Sequence, residues 1–144
     1  MTANTLNRLD QADGAGDNKI TLDGSVEGAT WETYAKTVYL QTYLADISDA
    51  GGTAHVFPRF AGTLNRISLV IEQDITGTAE MDVFIAGNMV TGGTFDISGF
   101  AGSQFTFALT GDNTFAIGDI FEVTSDGAST GNCPVYINLE VIRD

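Results

Sequence analysis

The sequence predicts an all-β chain, an antiparallel β-sandwich of about eight strands, jelly-roll-like, behind an extended N-terminal arm. Three observations predict it. From Val38 onward apolar residues alternate with polar ones, the period of strands that bury one face. The alternating stretches are short and are separated by glycine-containing segments. No amphipathic helical spacing occurs after that point.

Residues 1 to 36 read as the arm, and residues 37 to 144 as the sandwich domain. The arm is polar, rich in Ala, Gly, Asp, Asn and Thr, with scattered apolar side chains such as Leu6, Leu9, Ile20, Leu22 and Val26. Residues two apart on a strand share a face, so each later segment can be sorted into two rows. Val38, Leu40 and Leu44 point one way, and Tyr39, Gln41 and Tyr43 the other. Ile67, Leu69 and Ile71 form a core row, with Arg66, Ser68 and Glu72 opposite. Met81, Val83 and Ile85 oppose Glu80, Asp82 and Phe84. Phe95 with Ile97, then Phe105, Phe107 and Leu109, then Phe121 with Val123 continue the inward series. The last strand is the clearest: Val135, Ile137, Leu139 and Val141 alternate with Tyr136, Asn138, Glu140 and Ile142.

Between these rows lie the expected turns, at 49 to 53, 60 to 63, 75 to 79, 86 to 88, 91 to 93, 110 to 113 and 125 to 132, where glycine supplies a positive φ. Pro58 and Pro134 fall at strand ends, consistent with the exclusion of proline from central strands. Alternation gives faces but not strand order.

The chain has 144 residues, one cysteine, and 6 Lys+Arg against 19 Asp+Glu, for a net charge of −13. A surface this acidic repels phosphate backbones, so nucleic-acid binding is not expected. The same sign disfavours anionic membranes, and no apolar run approaches the roughly 20 residues that span a bilayer. The opening MTANTLNRLDQADGAGD carries neither the basic stretch nor the apolar core of a secretory signal. Cys133 has no second cysteine to pair with inside the chain and reads as a buried thiol.

Several segments carry chemical side chains without forming a site. Residues 12 to 25, ADGAGDNKITLDGS, superficially resemble one turn of a calcium-binding glycine-aspartate repeat. Such repeats stack and this one is single, so it reads as an acidic loop. The pairs Asp10/Asp13, Glu72/Asp74 and Glu80/Asp82 lack the facing geometry of glycosidase acids, and those on strands lie opposite the apolar rows, as a solvated face does. His55, the one histidine, has neither a GxSxG elbow nor a cysteine signature, and one histidine cannot build the usual zinc site. It reads as a structural or interface residue. No catalytic constellation, metal site or cofactor is expected. The aromatic residues are a different matter. Trp31 and Tyr34 stand where the arm meets the domain, as core anchors or as interface anchors. Tyr39, Tyr43 and Phe84 point away from the apolar rows, where rings remain only if a second surface covers them or the faces are reversed.

FPRFAGTLNRISLVIEQDITGTAEMDVFIAGNMVTGGTFDISG, followed by TGDNTFAIGDIFEVTSDGASTGNCPVYINLEVI, resembles the head decoration, or cement, proteins of tailed bacteriophages. The features that match are the entry strand from Ala61 to Ser68, a short hairpin over Val90 to Phe95, and Asn113 to Asp119 ahead of a strand and Ser125-Asp126-Gly127. They cover most of residues 57 to 142. The resemblance implies a non-enzymatic jelly-roll protein, a homotrimer on the outer surface of a phage capsid, bridging subunits of the major capsid protein. It makes the arm the docking element, with Trp31, Tyr34, Leu6 and Leu9 as capsid-contact candidates. Tyr39, Tyr43 and Phe84 then become contacts between copies. The alternative is a carbohydrate- or receptor-binding sandwich module of a phage fibre or cell-surface protein, which requires an exposed aromatic platform using Tyr39, Tyr43 or Phe84. A hydrolase would require paired acids directed into a cleft.

Overall fold

The computed structural model describes residues 36–48 and 52–144. Trp31, Tyr34, Leu6, Leu9 and the acidic segment at 12 to 25 lie outside the described residues. Within them the regular elements are all strands: β1 (Lys36–Leu44), β2 (Thr53–Val56), β3 (Gly62–Ile71), β4 (Ile75–Ile85), β5 (Asn88–Gly99), β6 (Gln104–Ala108), β7 (Thr114–Phe115), β8 (Phe121–Ser125) and β9 (Val135–Arg143).

The strands form two antiparallel sheets, one ordered β1-β9-β3-β6 with β7 also on β3, the other β2-β8-β4-β5. Apart from the β4–β5 hairpin and the step from β6 to β7, each strand is followed by one in the opposite sheet. This interleaving of a five-stranded and a four-stranded sheet is the jelly-roll arrangement.

The expected faces hold throughout. Ile67, Leu69 and Ile71 of β3 and Val135, Ile137, Leu139 and Val141 of β9 are buried, facing Met81, Val83 and Ile85 of β4 and Phe121 and Val123 of β8. Leu109 is buried, while Phe105 and Phe107 are half-buried against the same core. Phe95 of β5 stacks on Phe107 of β6 at 4.1 Å, which closes the seam between the edges of the two sheets. Cys133 is buried, and its thiol donates to the Gln73 carbonyl at 3.3 Å.

The turn at 86 to 88 forms as expected. Ala86 and Gly87 have φ of 50° and 80° and join Ile85 to Asn88, the twist that a two-residue hairpin loop needs. Three expectations change. The segment 75 to 79 belongs to β4, which slips register against β5 between Ile75 and Ala79 with Gly77 at φ 87°. Thr76 bridges Thr130 there instead of reversing the chain. The segment 91 to 93, with the hairpin expected over Val90 to Phe95, is an excursion inside β5. Asp82 faces Thr94 while Phe84 faces Met89. The extra residues find backbone partners elsewhere: Thr91 N–H donates to Gly111 O at 2.8 Å, and Thr110 N–H to Thr91 O at 2.9 Å. Gly93 permits this packing, since a Cβ there would lie 2.8 Å from Val90 O and 3.1 Å from Val83 O. Finally, His55 lies in β2, a short strand that the alternation did not mark.

At one end of the sandwich Asp46 ties the loop after β1 to the loop before β9. Its Oδ1 accepts from the Ser48 hydroxyl at 2.7 Å, Ser48 N–H at 2.9 Å and Cys133 N–H at 3.1 Å. The Ser48 hydroxyl, followed by the two backbone N–H groups, holds this carboxyl below its ordinary value of 3.8 against an opposing desolvation cost. A carboxyl lowered on folding stabilises the fold above its unfolded pKa, and that contribution is lost as pH falls through the folded pKa. Asp46→Asn is therefore expected to lower the urea midpoint at neutral pH, with the gap from the parent closing as pH drops below 3.8. A gap independent of pH would show that the ionised carboxylate contributes nothing.

Candidate functional site

Because β1, β9, β3 and β6 each bury one face, the alternate residues form a second surface on the outside of the first sheet. The pairing register arranges them in rows that cross the strands. Tyr39 faces Glu140, which faces Arg66, then Ala108. In the next row come Gln41, Asn138, Ser68 and Thr106, and in the third Tyr43, Tyr136, Val70 and Gln104.

The third row holds a pair of rings. Tyr43 and Tyr136 have centroids 5.1 Å apart at 53°, and their side chains remain 46% and 53% exposed. Tyr39, at 59%, is one more ring on this surface, two rows away along β1. The row beside the ring pair has no charged residue. Ser68 Oγ and Thr106 Oγ1 lie 3.1 Å apart in it. Asn138 Oδ1 is shielded from solvent and has no hydrogen-bond partner. The charged residues stand one row further, where Asn65 Nδ2 donates to Glu140 Oε1 at 2.7 Å. Between the amide row and the ring row runs a groove of about 400 Å³ lined by Gln41, Asn138, Ser68, Tyr136 and Val70.

The outside of the second sheet differs in chemistry. It carries Glu80, Asp82, Asp96 and Glu122, with the Thr94 hydroxyl donating to Asp82 Oδ1 at 2.6 Å and His55 Nε2 lying 3.2 Å from Glu122 Oε2. Phe84 sits in this surface, half-buried between Glu122 and Met89 in register. The set expected as one contact surface is therefore divided: Tyr39 and Tyr43 share a face, and Phe84 lies on the other sheet.

A cavity of about 510 Å³ opens beside the β4–β5 turn, with Asp112 and Asp119 in its wall. Both carboxylates are engaged in shaping loops: Asp112 Oδ2 accepts from the Thr91 hydroxyl at 2.9 Å and Asp119 Oδ2 from Ala116 N–H at 2.8 Å. Among the described residues no three His, Cys, Asp or Glu side chains converge as metal ligands, and every described carboxylate is exposed or half-buried. No helix among the described residues is long and apolar enough to cross a membrane.

Tyr136 was legible as an outward residue but not as part of a site. Its partner Tyr43 is remote in sequence, and only the β1–β9 pairing joins them. Gln41, Asn138, Ser68 and Thr106 carry no motif at all; their common row is a product of register.

No protein-family model matches the chain, and no curated protein matches it. Among solved structures it is similar to the CBM36-1 domain of a multidomain xylanase from the hindgut metagenome of Trinervitermes trinervoides, at 16% identity and a TM-score of 0.45, covering 72% of this chain and 96% of that one. It is similar also to a CBM36 carbohydrate-binding module in complex with calcium and xylotriose, at 22% identity and a TM-score of 0.42, covering 68% and 76%. A third is the catalytic unit of a GH87 α-1,3-glucanase from Streptomyces thermodiastaticus strain HF3-3, at 10% identity and a TM-score of 0.46, covering 75% of this chain and 26% of that one. At identities of 10 to 22% these likenesses say nothing of a ligand for this chain.

Proposed function

We propose that the chain is a non-catalytic carbohydrate-binding sandwich module whose ligand lies on the outer face of the β1-β9-β3-β6 sheet. The observation that carries this reading is the exposed Tyr43–Tyr136 pair beside an uncharged row of amides and hydroxyls. A sugar ring has an apolar C–H face and a rim of hydroxyls. The tyrosine rings offer the first a large apolar surface at little entropic cost, while amides supply donors and acceptors for the second. Rings left bare on a folded domain mark a surface that something covers.

The test is affinity electrophoresis of the full chain through gels containing a panel of polysaccharides. The expected result is retardation by at least one of them. A chain that none retards, with a light-scattering mass of three copies, would overturn the reading.

That second outcome would favour a capsid decoration protein, with the major capsid protein as partner on the outside of a virion. The observation on its side is that Phe57, Phe100 and Ile117 stand exposed in loops, as contact residues for a large docking surface do.

A further inference from the structure

The groove has two unlike walls, and both cross the strands. One is apolar, formed by Tyr136 and Val70, with Tyr43 continuing their row; the other is polar and uncharged, formed by Gln41, Asn138 and Ser68, with Thr106 continuing theirs. From this we infer that the ligand is a neutral oligosaccharide lying across the strands from β1 toward β6, an inference that rests on the glycan reading of this face.

The direction follows from the rows. Four strands about 4.8 Å apart set the ends of a row about 14 Å from one another, longer than a single pyranose ring. A chain lying this way keeps its C–H faces against Tyr43, Tyr136 and Val70 in turn and its hydroxyl edge against the row of amides and hydroxyls. A chain lying along β1 would leave the ring pair, cross the amide row, and reach Tyr39 in the row that holds the charged Glu140 and Arg66.

Neutrality follows from the charges. Neither wall holds a cation to meet a uronate or sulfate. Arg66, the nearest in register, stands beyond the amide row and faces Glu140. The net charge of −13 adds a long-range repulsion of polyanions.

Asn138 is the centre of the polar wall, between Gln41 and Ser68. A buried polar atom without a partner calls for an explanation, and its shielded Oδ1 has none. Turning the amide toward the groove offers a sugar one acceptor and two donors, so the unsatisfied state belongs to the unliganded protein. We assign Asn138 as the specificity-determining residue of the groove.

Calorimetric titration of the full chain with a neutral oligosaccharide series tests this, using the series whose polysaccharide retards it and running from monosaccharide to hexasaccharide. Polygalacturonate and alginate serve as anionic probes. The dissociation constant is expected to fall with length and level off once the chain spans the sheet. Asn138→Ala is expected to weaken binding about tenfold, the loss of one or two hydrogen bonds, with the melting temperature unchanged. Gln104→Ala, at the far end of the row, should weaken the long ligands and leave the short ones alone, while Tyr39→Ala changes neither. A monosaccharide that binds as tightly as the hexamer, or tight binding of the polyuronates, overturns the inference. So does a loss at Tyr39→Ala without one at Gln104→Ala, which would turn the ligand along the strands and leave the glycan reading standing. Failure of every glycan to bind removes both.

Discussion

Replacing Phe121 by alanine is expected to cost about 3–5 kcal/mol of folding stability, the range for large aromatic truncations in a closed core. Phe121 is fully buried at the start of β8, opposite Val56 of β2 on one side and Ile85 of β4 on the other. Its ring meets Phe115 edge-on at 4.7 Å, and Phe115 in turn meets Phe60 at 5.9 Å, beneath the Arg143 guanidinium at 5.4 Å. The truncation therefore removes the inner ring of a stack that joins the second sheet, through β8, to β7 of the first. Relaxation into the void is restricted because β8 is held by backbone ladders to both neighbours, so the cavity persists and its surface adds to the lost transfer energy. Against the roughly 5–15 kcal/mol by which domains are stable, this is a large fraction. Urea denaturation checks it: the midpoint should fall with an unchanged slope. A loss under about 1 kcal/mol would mean that the rings are not a shared core.

The inward rows were legible because a sandwich strand buries one face and wets the other. Val135 to Val141 and Ile67 to Ile71 read directly as buried positions two apart. Strand β2 was not legible, being four residues long with Ala54 its one buried side chain. Nor could glycine distinguish a turn from a bulge. Gly77 and Gly92 take positive φ as expected, yet both sit within strands, because a bulge demands the same backbone freedom as a hairpin loop. The site was half legible for a related reason. Alternation marked Tyr39, Tyr43, Tyr136 and Phe84 as outward alike, and it holds no information on which sheet a strand joins. Strand order places the three tyrosines on one surface and Phe84 on another.

That sorting makes the second large effect specific to Tyr43 and Tyr136. Each single alanine substitution is expected to weaken glycan binding about 30-fold, corresponding to the roughly 2 kcal/mol of a hot-spot residue. The double variant should show no measurable binding. The two losses need not add, because rings 5.1 Å apart buttress one another and removing either loosens its neighbour. Folding stability should hardly change. Both rings lie on the outer face, and a cross-strand pair there contributes only about 0.2–1 kcal/mol. This separates them from Phe121, whose loss should move the denaturation midpoint before it moves any affinity. Tyr136→Phe refines the assignment: it keeps the ring and deletes the hydroxyl, so most of the binding should survive if the C–H face of the sugar rests on the ring. A double alanine variant that binds glycan as the parent does would remove this face from the site, since no other described row sets two exposed rings in contact beside uncharged amides.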